Sequence, residues 1–212
     1  MSTTNDRRNR KRMATRQLIS DAATQLFNEH GFDHVTVDQI AAAADVGRKT
    51  VFNHFARKED MFFDLDDIGR DELCEALRGR DPATSPLEAL RLFAHDIVAK
   101  HRPYIRFFAG SVQFMNTVEA SEALRARARA IRDELAAVVK VALADATGRD
   151  HGDPDADLAA ALLVAGWALA FIRAQQAFRR HADEADAQKV FLGMVDRTAA
   201  GLKAALAGTP YA

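Results

Sequence analysis

Five residues able to contact a nucleic acid crowd into one short stretch: Arg48, Lys49, Thr50, Asn53 and His54. Arg and Lys donate to guanine edges, Asn pairs with adenine through its amide, and Thr and His suit phosphate oxygens. Val51, Phe52 and Phe55 are interleaved with them. On a helix turning about 100° per residue, the spacing predicts that these three face inward and that Lys49, Thr50 and Asn53 fall on the other side. Arg48 sits in the first turn, where its side chain reaches forward off the helix end. The same pattern also suits a polar helix face turned to water, and these residues alone do not separate the two.

The elements that would hold this edge lie on both sides of it. Thr36 and Gln39 have the spacing of a capping box, so a helix starts there. Ile40, Ala41 and Ala44 give it a small apolar stripe that ends at Asp45-Val46-Gly47. Gly47 tolerates the backbone angles of a turn or a cap. Two short helices joined by a tight turn result, with Arg48 opening the second. Behind them a platform helix is predicted over residues 15–30, with Leu18, Ile19, Ala22, Ala23, Leu26 and Phe27 inward and Gly31 as its stop. Phe32, Val35 and Val37 close the shared core. Ahead of it, residues 1–12 carry Arg7, Arg8, Arg10, Lys11 and Arg12. This arm is expected to be disordered alone, and it suits either a path along phosphates or a solubilising tail. A fourth helix is expected to run unbroken from Arg57 or Lys58 to Arg80, with Lys58 at its start placed for a phosphate.

The stretches Arg16-Gln-Leu-Ile-Ser-Asp-Ala-Ala-Thr-Gln-Leu-Phe-Asn-Glu-His-Gly-Phe, Val35-Thr-Val-Asp-Gln-Ile-Ala, Val46 to Phe55 and Lys58-Glu-Asp-Met together resemble the DNA-binding domain of TetR-type transcriptional regulators. The likeness spans residues 13–63, under a third of the 212 residues, and combines several fixed spacings. It implies an all-α homodimer: an N-terminal three-helix helix-turn-helix domain (1–57) that binds palindromic operator DNA, and a helical ligand-binding and dimerisation domain (58–212), about nine helices in all. Thr36, Arg48, Lys49, Thr50, Asn53, His54 and Lys58 then become candidate DNA contacts. Phe52 stands where the family usually has a Tyr whose hydroxyl touches a phosphate. Gly47 stands where Ser commonly caps the recognition helix, and Asp45 replaces the usual turn Gly.

Beyond the linker Asp81-Pro-Ala-Thr-Ser-Pro, Ser85 and Pro86 have the chemistry of a helix start. Helices are predicted over residues 86–101, 103–116 and 117–146. The last carries Arg125, Arg127, Arg129 and Arg132, expected to form a solvated face. His151 with Asp150, Asp153 and Asp155 suits a capping loop better than a metal site. Residues 154–181 form a helix apolar nearly all round, and residues 185–207 an amphipathic one. A second copy of these two helices would complete a four-helix bundle and set two recognition helices one helical turn apart on DNA. Burial within one chain is the competing account. The apolar run Leu158 to Ile172 falls about one turn short of a membrane span, so no membrane partner is expected. Phe93, Phe107, Phe108, Phe114, Trp167 and Phe171 fall on the helices that enclose the ligand cavity in TetR-type proteins. The same residues also suit core filling, and nothing names an effector.

Apolar residues make up 48% and charged residues 28%, and the net charge is −1. Through residue 58 there are ten Lys and Arg against six Asp and Glu, leaving nineteen against twenty-four beyond it, from totals of 29 and 30. A basic N-terminal part on an acidic body suits a local polyanionic partner. Cys74 is the single cysteine, so neither an internal disulfide nor a cysteine cluster can form, consistent with a cytoplasmic protein. A dimeric repressor released by a small apolar or amphipathic ligand is the expected function. The alternatives are a regulator without a small-molecule ligand, and an all-α enzyme or carrier with a vestigial DNA-binding domain. Against the last, the sequence shows no nucleophile–base set, paired carboxylate site, phosphate loop or metal spacing. No catalytic residue, cofactor or metal is assigned.

Overall fold

A computed structural model describes the backbone from Thr3 and the side chains from Arg7 through Ala212. Among the described residues all regular structure is helical, with ten α-helices and two 3-10 turns. Contacts divide the chain into two units, Met1–Asp64 with Thr117–Arg127, and Leu65–Asn116 with Ala128–Ala212. The division falls later than the expected 57/58 boundary, and it draws a short later segment into the N-terminal unit.

The first unit holds α1 (Thr3–His30), α2 (Val37–Ala43), α3 (Arg48–His54) and α4 (Lys58–Phe62). Helix α1 starts well before Thr15, so the basic residues from Arg7 to Arg12 are exposed helical positions and not a disordered arm. Arg, Lys and Met are good helix formers, and they extend a helix already anchored by the buried Ile19, Ala23 and Phe27. The part of the arm before Thr3 lies outside the described residues. Phe32, Val35, Ile40, Val51, Phe55 and Met61 complete this small core. The rings of Phe27, Phe32 and Phe62 meet at 4.9–6.0 Å.

The helix expected to run unbroken to Arg80 instead stops at Phe62 and restarts as α5 (Asp66–Arg78). Asp64 explains the break. Its backbone carbonyl accepts from Arg16 at 3.4 Å, and its carboxylate accepts from the Ser20 hydroxyl. Burial of this carboxyl raises its pKa. Both partners lie on α1, so no local signal announces the interruption.

The second unit is built from α5, α6 (Pro86–Ala99), α9 (Pro154–His181), α10 (Glu184–Ala205) and the larger parts of α7 (Ala109–Ala120) and α8 (Glu122–Thr147). Helix α6 starts as its sequence predicts, with Pro86 in the first turn and Ser85 Oγ accepting from Glu88 N at 3.3 Å. The helix predicted over 103–116 resolves into a 3-10 turn at Pro103–Ile105 followed by α7. Phe107 is fully buried in the intervening stretch. Asp153 caps α9 and accepts from the Tyr211 hydroxyl at 2.9 Å, which ties the Asp-rich loop to the core. Helices α9 and α10 approach closely where Gly166 meets Thr198. A Cβ on residue 166 would collide with the threonine side chain.

Candidate nucleic-acid interface

The turn between α2 and α3 is set by two residues. Asp45 takes the left-handed conformation (φ 51°), a region glycine enters freely and Asp tolerates. Gly47 is extended (φ −73°, ψ 148°) and serves as the N-cap of α3 without a side chain to satisfy the first amides. Upstream, the Thr36–Gln39 capping box forms in both directions: Gln39 N donates to Thr36 Oγ1 at 3.3 Å and Thr36 N donates to Gln39 Oε1 at 2.8 Å. Thr36 Oγ1 also donates to Gln39 Oε1 at 2.9 Å. Its hydroxyl is thus spent on holding α2.

Helix α3 buries Val51 completely, and Phe55 behind it is 2% exposed. Arg48, Lys49 and Asn53 are exposed, Thr50 and His54 half-buried. Phe52 does not face inward with Val51 and Phe55 as the spacing was expected to place it; it is 44% exposed. The reason is angular. Phe52 lies four residues after Arg48, about 40° away, and about 100° from Val51. It therefore joins the polar edge, with the Arg48 guanidinium 5.5 Å above its ring. The i to i+4 relation to Arg48 is the signal that would have found it.

Arg48 Nη1 donates to Asp38 on α2 at 2.7 Å, with both side chains more than half exposed. Such exposed pairs contribute little and can be exchanged for a stronger partner. At the other end of α3, Arg16 Nη1 donates to the His54 carbonyl at 2.9 Å and its guanidinium covers Phe55 at 4.1 Å. Burial, followed by the positive charges of Arg12 and Arg16, lowers the His54 pKa from its usual 6.5. Arg12 and Arg16, on a helix distant in sequence, thus gather positive charge beside His54 at the end of α3.

Lys58 is engaged in a different way from the one its position suggested. Its ammonium donates to the carbonyls of Phe32 and Val35 at 2.8 and 2.9 Å and lies 4.1 Å from the Phe32 ring. Two of its three protons hold the turn that leads into α2. Asp60 does similar work two residues on. It accepts from Arg57 N at 3.1 Å and, through its other oxygen, from Arg127 Nε at 2.7 Å. Arg127 is only 15% exposed, so the Arg-rich side of α8 is not uniformly solvated. Ser121 Oγ donates to Asp33 at 2.8 Å in the same unit.

In the second unit, four of the six candidate ligand residues come together. Phe93 stacks on Trp167 at 6.3 Å, and Phe107 meets Phe171 at 5.7 Å and Phe191 at 6.0 Å within one cluster. Phe108 stands apart, 47% exposed with Arg106 over its ring. Phe114 is half-buried on α7. Among the described residues, no three His, Cys, Asp or Glu side chains are grouped to hold a metal.

Residues 19–65 match the family described as bacterial regulatory proteins, tetR family. The transcriptional regulator TcmR of Streptomyces glaucescens is 36% identical over 83 residues, 39% of this chain and 37% of the relative. The transcriptional repressor AcnR of Corynebacterium efficiens is 30% identical over 93 residues, 39% of this chain and half of the relative. The matched region thus spans half or less of these curated relatives. The solved complex of SmeT with triclosan, from Stenotrophomonas maltophilia, is 21% identical and covers 89% of this chain and 91% of the other, with a TM-score of 0.54. That likeness concerns the fold. Residues 19–65 of this chain thus match the TetR family of bacterial regulatory proteins, and the chain shares the all-helical fold of SmeT.

Proposed function

We propose that this protein is a homodimeric transcriptional repressor that reads a palindromic operator with α3 and is released by a small apolar or amphipathic ligand. One observation carries the DNA assignment: Arg48, Lys49, Phe52 and Asn53 are exposed along one edge of a helix whose opposite residue, Val51, is wholly buried. Arg48 and Lys49 suit guanine edges, Asn53 suits adenine, and Phe52 suits a thymine methyl. The basic first turns of α1 from Arg7 to Arg12 supply nonspecific phosphate attraction. His54 takes a phosphate. Thr36 and Lys58 act through position, by holding the start of α2.

Pairing through α9 is supported by its uncovered apolar stripe. Leu158, Leu162, Leu169 and Ile172 are 42–45% exposed and fall within about 80° of one another on the helix. Helix α9 is also, among the described residues, the one long and apolar enough to cross a membrane. Its other side is packed with Ala159, Ala160, Leu163, Ala170 and Ala174, and it lies against α10. A stripe on one side of a packed helix fits a second copy of the same helix. Ligand release is supported by the aromatic cluster and by SmeT, a protein of this fold solved with triclosan. Selection from a random duplex pool with purified protein tests the proposal. A two-fold symmetric sequence should emerge, and enrichment of no sequence would refute it.

A further inference from the structure

We infer that the effector is held by a hydrogen bond from the Gln175 side-chain amide to a neutral acceptor oxygen on an otherwise aromatic or apolar molecule. The inference deepens the ligand-release proposal and rests on it. Gln175 sits on α9 between Phe171 and Phe178, four residues after one and three before the other, so the three share a face. It is 2% exposed. Its Oε1 lies 3.2 Å from Ser111 Oγ at the start of α7, and its Nε2 has no acceptor among the described residues.

Turning the amide over does not remove the deficit. Ser111 Oγ lies 2.8 Å from the Phe108 carbonyl, to which it donates, and accepts from Phe108 N at 2.9 Å. Its single proton serves Phe108 or Gln175, not both. With the amide reversed, one N–H of Nε2 can donate to Ser111 Oγ, and the second N–H is still unmet. In either orientation a buried amide proton lacks a partner, a state native interiors avoid. The surroundings are apolar: Phe107 is fully buried and meets Phe171 at 5.7 Å, in a cluster that also takes in Phe178 and Trp167. One convergent polar group in an aromatic wall is the means by which small-molecule sites orient a ligand. No charged side chain pairs with Gln175 or Ser111 among the described residues. The donor is a neutral amide in an apolar cluster, so it suits a neutral ketone, ester or amide oxygen better than a carboxylate, whose desolvation a neutral amide offsets poorly.

Calorimetric titration of the full-length protein with matched probe pairs tests this. Acetophenone with α-methylstyrene, and 2-acetylnaphthalene with 2-isopropenylnaphthalene, differ only by an oxygen against a methylene. The ketone of at least one pair should bind the parent about five- to tenfold more tightly, the effect of one neutral hydrogen bond. In Gln175→Leu, and in the closer-fitting Gln175→Met, both members should bind alike while melting temperature rises. Equal binding of both members by the parent, or a ketone preference kept by both variants, would overturn the inference. If no probe bound a parent that still bound its selected operator, the Gln175 inference would fall while the DNA-binding proposal stood.

Discussion

Helices α3 and α9 turn their chemistry in opposite directions. The first is seven residues long, polar outside and apolar inside, and its side chains face solvent where a duplex can reach them. The second is 28 residues long, carries an apolar stripe outside, and keeps its one unmet amide within. Recognition of a polyanion needs donors at the surface. Recognition of an apolar effector needs a single donor where water is excluded, and association of two chains needs an uncovered apolar face. The contrast teaches that exposure gains meaning only with residue type: in the proposed function an exposed Lys on α3 and an exposed Leu on α9 serve different partners.

Charging the stripe on α9 should have the largest effect. Leu162→Glu places a carboxylate in the proposed dimer contact, and sedimentation should find monomers whose affinity for a palindromic site falls at least a hundredfold, because bivalent engagement is lost. Lys49→Ala on α3 leaves the dimer intact and should weaken the best site by about ten- to a hundredfold while altering base preference, as gel shifts across a sequence panel would show.

Lys58→Met should act through the fold. Losing two bonds from an ammonium to buried carbonyls costs about 2–3 kcal/mol, read as a lower denaturation midpoint, with the salt dependence of DNA binding by the folded protein unchanged. A reduced salt slope at full stability would restore Lys58 to a phosphate. His54 gives a smaller, pH-dependent effect. Its lowered pKa leaves the ring neutral near pH 7 in the free protein, and a phosphate alongside would raise that pKa. The complex then takes up protons, so affinity should increase as pH falls from about 7.5 to 6, and His54→Gln should flatten the slope. In the free protein the sign is opposite: a histidine harder to protonate when folded lowers stability as pH drops below 6.5. The smallest expected change is Gly47→Ser. It adds the missing cap to α3, with the new Cβ in ordinary contact with Thr50 Oγ1 at 4.0 Å, and should stabilise by a few tenths of a kcal/mol, measurable by thermal denaturation.

The parts legible in the sequence are those with local causes. The Thr36–Gln39 box, the Ser85–Pro86 start and the inward Val51 all depend on neighbours within a few residues. The parts missed have distant partners. The break at Asp64 is imposed by Arg16 and Ser20, forty-eight and forty-four residues away. The Lys58 acceptors lie twenty-six and twenty-three residues back, and Arg127 finds Asp60 sixty-seven residues away. Phe52 was a different kind of miss. It was grouped inward with Val51 and Phe55, although the spacing itself puts it about 100° from Val51 and beside Arg48.

Half-site spacing tests the central claim most directly. With the selected palindrome in hand, affinity should be measured for the parent site and for one whose halves are moved apart by five base pairs, half a helical turn. Two copies of α3 fixed by pairing through α9 predict a loss of at least a hundredfold, because the second half-site rotates to the far side of the duplex. Equal affinity for both spacings would contradict the account.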